Sequence, residues 1–155
     1  MISEVKVNKE SKITLREIHS KTVFSICKLK VNPEQNKFVT PVAFSISEAY
    51  FEPKAWFRAI YADEIPVGFL MLYVDREKPE YFLWRFLIDA KYQRMGFGNK
   101  AMKLIIEAVR TWPKGTELMV SYVPDENGPA GFYQNLGFKA TGEIDEGEEV
   151  ASLKL

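Results

Sequence analysis

Apolar residues recur along this chain with two periods, and each change of period marks an element. Phe97, Ala101, Leu104, Ile105, Ala108 and Trp112 recur at three- and four-residue steps, Leu104 and Ile105 sharing one turn, with Lys100, Lys103, Glu107 and Thr111 elsewhere. That spacing predicts an amphipathic helix, ended by Pro113-Lys114-Gly115. Upstream, Tyr81 to Ile88 is an almost unbroken apolar and aromatic run interrupted by Arg85, the pattern of a strand buried on both faces. Trp56–Ala62 and Val67–Val74 flank the short charged stretch Asp63-Glu64-Ile65-Pro66 and predict an antiparallel hairpin. Ile13–Ile18 alternates as a first strand and Leu118–Val123 reads as a later one. Phe138–Gly142 and Val150–Leu155, joined around Asp145-Glu146-Gly147, predict a closing hairpin.

The remaining segments carry shorter signals. A helix from Lys21 would point Val23, Phe24, Ile26, Cys27 and Leu29 at the core and end before Asn32-Pro33; the stretch from Asn32 to Phe44 reads as irregular. Ser45-Ile46-Ser47-Glu48 has capping-box spacing and predicts a helix through Phe51, stopped by Pro53. Gly128-Pro129 opens a short helix through Leu136, which Gly137 closes. Residues 1–11 are polar and expected to be loosely ordered. The order is strand, two short helices, three strands, glycine turn, long helix, strand, short helix, two strands. It predicts an α/β (α+β) fold, a mixed and mostly antiparallel central sheet flanked by helices. A chain of 155 residues that is 46% hydrophobic can bury one full core, so a single domain is expected.

Charge and composition exclude several functions. Twenty-one basic and twenty-one acidic residues cancel, leaving no overall field to hold nucleic acid, so any charged partner must be met locally. One cysteine, Cys27, and one histidine, His19, allow neither an internal disulfide nor a zinc cluster, and point to a reducing compartment without a metal. Met1–Lys6 lacks the apolar core of a signal peptide, and no window approaches the roughly 18 apolar residues of a membrane span. The expected location is the cytoplasm, with no membrane partner.

The candidate chemistry begins at Gln93-Arg94-Met95-Gly96-Phe97-Gly98, between a strand and the clearest helix. A glycine turn there aims backbone N–H groups and the positive end of a helix dipole at one point, which suits a phosphate or pyrophosphate. Three readings compete: a tight turn that binds nothing, a dinucleotide fingerprint (Gly96-x-Gly98-x-x-Ala101), and another phosphate site. The turn comes too late in the chain for a dinucleotide fold, and Leu118–Val123 does not end in the acidic residue that would hold a ribose. No Gly-Lys-Ser/Thr follows, which excludes a P-loop.

Taken together, Gln93-x-x-Gly96-x-Gly98 and the later Phe132-Tyr133-Gln134-Asn135-Leu136-Gly137-Phe138 resemble the GCN5-related N-acetyltransferase family, over roughly residues 12–154. The resemblance implies an acyltransferase that moves the acetyl group of acetyl-CoA to a primary amine by direct attack. By position, Gln93, Arg94, Met95, Gly96, Phe97, Gly98 and Asn99 would hold the coenzyme's pyrophosphate. The main chain near Leu87 and Ile88 would hold its pantetheine arm, and Asn127 would contact it or cap the following helix. Tyr133 matches the tyrosine beside the coenzyme sulfur; a phenol of pKa about 10 is protonated at neutral pH and can act as general acid.

An alkylamine of pKa about 10.4 is almost wholly protonated at neutral pH, so a base is wanted; Glu48, Glu52 and His19 are the choices. Glu52 is preferred, because it ends the segment that lines the acceptor pocket in the family. Leu83-Trp84-Arg85-Phe86-Leu87-Ile88-Asp89, with Thr141 to Glu148, is similar to a bacterial diamine or spermine/spermidine branch, which implies a polyamine or other small amine. Trp84 and Arg85 stand where polyamine enzymes carry an acid and are the substrate-binding candidates. Arg85 would repel a polycation unless an acid neutralises it, and Trp84 would face an ammonium group or pack in the core. Other acceptors remain open: a protein N-terminus, a lysine or an aminoglycoside-like amine. So does a non-catalytic acyl-CoA-binding module. Edge-strand pairing between subunits in the family makes a homodimer the expectation by analogy.

Overall fold

The computed structural model describes residues 6–155. Its strands are β1 (Ile13–Arg16), β2 (Ala55–Ala62), β3 (Ile65–Asp75), β4 (Glu80–Ile88), β5 (Glu117–Tyr122), β6 (Lys139–Asp145) and β7 (Glu148–Lys154). The helices are α1 (Val23–Cys27), α2 (Val42–Phe51), α3 (Phe97–Arg110) and α4 (Ala130–Asn135), with a 3-10 helix at Pro33–Phe38. The strands form one sheet in the order β1-β2-β3-β4-β5-β7-β6. Every pairing is antiparallel except that of β4 with β5. This is the mixed, mostly antiparallel sheet that the alternation of apolar positions predicts.

Alternation along the central strands feeds two cores. Ile60, Leu70, Leu72 and Leu83 face α3 and pack with Ala101, Met102 and Ile105. Ala59, Tyr61, Phe69, Met71 and Leu87 face the other way and pack with Ile26 of α1 and Val42 of α2. Each fully buried aliphatic side chain contributes about 1.5–3 kcal/mol of burial, so both layers hold the sheet.

At one place the alternation slips. Leu72 pairs with Leu83 but Met71 pairs with Arg85, so Trp84 is an extra residue in β4. Such a bulge re-aims side chains, and Trp84 and Arg85 consequently both point to the α1–α2 face.

The structure corrects several expectations. α2 starts at Val42, because the Ser45 hydroxyl is buried and donates back to the Pro41 carbonyl at 3.2 Å instead of capping a helix start. The stretch from Asn32 is not irregular: the Asn32 N–H donates to Gln35 Oε1 at 3.3 Å and steadies the 3-10 helix. Phe24 is 70% exposed, since α1 turns only Ile26 fully inward. The buried stripe of α3 runs through Phe97, Ala101, Met102, Ile105 and Val109, rotated from the one predicted. β4 is buried on the α3 side at Tyr81 and Leu83, but its other wall opens on a cleft. Residues 6–11 are tied down in part: Asn8 and Ser11 close a turn, and Lys100 Nζ donates to the Lys9 carbonyl at 2.6 Å. The signal-peptide reading of Met1–Lys6 falls almost wholly outside the described residues. Among the described residues no helix is long and apolar enough to cross a membrane.

Candidate active site

β4 and β5 pair only at Phe82–Met119 and Leu83–Val120, then diverge. The gap opens into a cleft of about 1700 Å³. The turn before α3, the start of α4, α2 and the β6–β7 hairpin complete its walls.

The turn takes its shape from two left-handed residues, Arg94 at φ 64° and Gly96 at φ 79°. The hydrogen-bond ladder of α3 begins with the Lys100 N–H on the Gly96 carbonyl. Among the described residues, the N–H groups from Arg94 to Asn99 meet no protein acceptor. They collect at the positive end of a helix of 14 residues, an anion-binding geometry.

Along β4, the Asp89 N–H donates to Val67, which fixes the register with β3. By strand alternation Leu87 directs its main-chain groups to β3, while those of Phe86 and Ile88 turn to the cleft. Gln93 Nε2 donates to the Ile88 carbonyl and to Gln35 Oε1, both at 2.9 Å, joining the turn, the strand and the 3-10 helix.

The structure brings nearly all the predicted residues to this cleft. Trp84, Arg85, Leu87, Ile88, Gln93, Arg94, Gly96, Phe97, Gly98, Asn99, Asn127, Glu52 and Tyr133 line it. Met95 packs against the α3-side core instead. His19 is exposed beside Glu17 and Arg58 in a separate shallow depression, away from the cleft. Asn127 does not cap α4, whose first position follows Pro129; its N–H donates to Asp125 Oδ1.

Tyr133 is buried, its ring stacked at 5.7 Å on Tyr122 and edge-on to Phe138 at 5.5 Å. Burial first, and the Glu148 carboxylate second, push its phenol well above the ordinary value, so it stays protonated across the physiological range.

On the α1–α2 face, Arg85 Nη2 donates to Glu48 Oε1 at 2.7 Å, and the guanidinium lies 5.2 Å from the centre of the Trp84 ring. The cation over Trp84 is therefore Arg85 itself. The Nε of Arg85 is buried without a partner. Glu48 of α2, Glu52 just after it, Glu80 and Glu117 at the starts of β4 and β5, and Glu143, Asp145, Glu146 and Glu148 of the hairpin give the cleft its carboxylates. Arg85 and Arg94 are its only basic residues among those described.

Sequence reasoning missed Glu148 as a site residue. Its Oε2 accepts from the Ser121 hydroxyl at 2.6 Å across β5 and β7. The only signal was its place in the Thr141–Glu148 phrase, which carries no pairing information. Among the described residues no cluster of His, Cys, Asp or Glu could hold a metal ion.

Comparison with known proteins agrees with this geometry. The model of the acetyltransferase (GNAT) family matches residues 22–138. The chain is 26% identical over 149 residues to the spermine/spermidine N(1)-acetyltransferase of Bacillus subtilis, spanning 89% of this chain and 95% of that protein. A domain from Methanocaldococcus jannaschii superposes with a TM-score of 0.74 at 16% identity, covering 94% of this chain and 100% of the other. The PaiA N-acetyltransferase of Thermoplasma acidophilum, solved with coenzyme A, superposes at 0.69 with 16% identity, covering 93% and 99% of the two chains.

Proposed function

The chain belongs to the acetyltransferase (GNAT) family, and on that premise we propose that it acetylates a primary amine at one end of a polyamine or diamine, acting as a single domain in the cytoplasm. Acetyl-CoA is the cosubstrate and supplies the acetyl group activated as a thioester. The residues present fit it. The free N–H groups of Arg94 to Asn99 match a pyrophosphate, with the Arg94 side chain beside them. The cleft-facing main chain of Phe86 and Ile88 offers an open strand edge to the amide-bearing pantetheine arm. Gln93 holds the Ile88 carbonyl and the turn in fixed relation.

The chemistry needs placement, a neutral amine and a hydrogen-bond donor for the departing sulfur. Tyr133 supplies the donor, and the raised phenol pKa keeps its proton in place. Its hydroxyl serves the sulfur while its ring is fixed by Tyr122 and Phe138.

One observation carries the choice of acceptor: Glu48 neutralises Arg85 on a wall otherwise rich in carboxylates. The arginine that would repel a polycation is cancelled, and the hairpin acids are left to hold distal ammonium groups. The B. subtilis relative's name supports the same reading.

Acetyl-CoA turnover with spermidine, spermine and putrescine, set against an aminoglycoside and a peptide N-terminus, tests it. Polyamines are expected to have a kcat/KM at least about tenfold above the others. Turnover of another amine with none on the three polyamines removes the acceptor assignment. Tyr133→Phe separates an enzyme from a binding module: turnover is expected to fall about 100-fold with coenzyme A affinity kept.

A further inference from the structure

Two carboxylates on the α2 side of the cleft already have work. Glu48 is bonded to Arg85, and Glu52 ends α2 with its Oε1 accepting from the Lys54 N–H at 3.1 Å. Glu148 differs from both. It sits at the start of β7, half-buried in the cleft wall, and its Oε2 is fixed by the Ser121 hydroxyl at 2.6 Å.

The faces of the sheet place it further. Tyr122 points into the α3-side core with Tyr133, so Ser121 points to the opposite face, the one that carries the Arg85–Glu48 pair. Glu148 goes with Ser121. Where β4 and β5 part, Tyr133 stacks on Tyr122 from one side of the sheet at 5.7 Å, while Glu148 bonds to the adjacent Ser121 on the other, and both line the same cleft. A donor on one side and an acceptor on the other is the layout that acyl transfer through the gap requires.

We propose that Glu148, positioned by Ser121, is the catalytic residue that receives the acceptor's ammonium group and takes its proton. The proposal rests on the acetyl-transfer reading above and assigns the base to Glu148 rather than Glu52. The step balances. The ammonium gives one proton to Glu148, which later releases it to solvent. The neutral nitrogen then forms its bond to the thioester carbonyl carbon as the carbon–sulfur bond breaks. The second proton lost by nitrogen replaces the one Tyr133 gives to sulfur. Around Glu148 stand Tyr133 from α4, Ser121 from β5, the acids Glu143, Asp145 and Glu146 of its own hairpin, and the Arg85–Glu48 pair across the cleft. The hairpin acids favour a cation at this spot.

The test uses the full chain with whichever amine the wild type turns over. Glu148→Gln is expected to lower kcat/KM about 100-fold at pH 7.5. Its rate should then climb about tenfold per pH unit toward the pKa of the amine, because only free amine reacts, while the wild-type profile is flatter. Ser121→Ala should lose a smaller factor, about fivefold, with Ser121→Thr restoring it. Calorimetry with coenzyme A alone should give the wild-type Kd for every variant, which also reports that they fold. Glu148→Gln within about threefold of wild type at every pH, or the same pH-dependent collapse in Glu52→Gln instead, overturns the assignment. Failure of the wild type to bind coenzyme A overturns the acetyl-transfer reading itself, and the calorimetry shows that separately.

Discussion

Arg85 carries the charge that should keep a polycation out of the cleft, and Glu48 cancels it at 2.7 Å. The two residues are 37 positions apart, and the bulge at Trp84 is what turns the arginine toward α2. Removing only the acid exposes the conflict. Glu48→Gln leaves one positive charge near the amine, worth about 1–2 kcal/mol at an effective dielectric of 20, or roughly fivefold to thirtyfold in KM for spermidine. The KM for acetyl-CoA should hold within about twofold, and steady-state kinetics on both substrates checks the split. Tyr133 makes a prediction on stability. Its phenol titrates higher in the folded chain than in the unfolded one, so its contribution is whole below about pH 10 and is lost as pH rises beyond. Between those two pKa values the group adds a slope of about 1.4 kcal/mol per pH unit. Urea unfolding of Tyr133→Phe across pH 8–11 should show a shallower alkaline decline than wild type; an identical decline refutes the shift. That Tyr133 lines the cleft could be anticipated from the motif around it. The pairings of Glu48 with Arg85 and of Glu148 with Ser121 could not, because such long-range contacts leave no local period.

Two glycines at the level of elements show how the strand and the turn are each constrained. Gly68 on β3 has no room: a Cβ there would overlap the Leu87 carbonyl of β4 and crowd Ile88. Gly68→Ala must therefore push β4 outward where its main chain faces the cleft. The expected cost is about 1–3 kcal/mol of stability, together with a weaker coenzyme Kd. Gly96 is the opposite case: a Cβ there would meet nothing within 4 Å, but φ is 79°. Gly96→Ala should cost about 1–2 kcal/mol through conformation alone, in the turn rather than in the core. Chemical denaturation and coenzyme A calorimetry on both variants check this contrast: Gly68→Ala should lower stability more, and equal stability losses would contradict it. The long helix, the β2–β3 hairpin and the turn before α3 could all be read from local signals, since periodicity, a charged connection and paired glycines are written in adjacent residues. The start of α2 could not. Ser45-x-x-Glu48 has the spacing of a cap, yet tertiary packing buries the serine and gives the glutamate to Arg85, so the same letters serve a different purpose. The bulge in β4 was illegible for a related reason, because a continuous apolar run looks the same with or without an extra residue.

Across the whole molecule the charges cancel, twenty-one against twenty-one, so the chain has no global attraction for a cation. The field that matters is local: carboxylates of α2 and of the β6–β7 hairpin converge on a cleft whose described basic residues are Arg85, already paired, and Arg94 at the phosphate turn. A cleft of one sign with low-dielectric walls raises the capture rate of an oppositely charged substrate, and salt screens that gain over a Debye length of about 8–10 Å at 0.1–0.15 M. Three consequences separate this arrangement from a neutral amine pocket. The kcat/KM for spermine should fall several-fold, about three to ten, as NaCl rises from 20 to 200 mM, and that for putrescine should fall less because it carries fewer charges. The kcat at saturating amine should move little, since screening acts on capture more than on chemistry. The Kd for coenzyme A, an anion whose proposed contacts are the N–H groups of the turn before α3, should weaken with salt independently of the hairpin acids. Neutralising Asp145 and Glu146 together should flatten the spermine response and leave the coenzyme response in place. Initial rates over a salt series with the two amines, on wild type and on that double variant, decide the matter: salt slopes equal for spermine and putrescine would mean that the acidic wall does not select by charge.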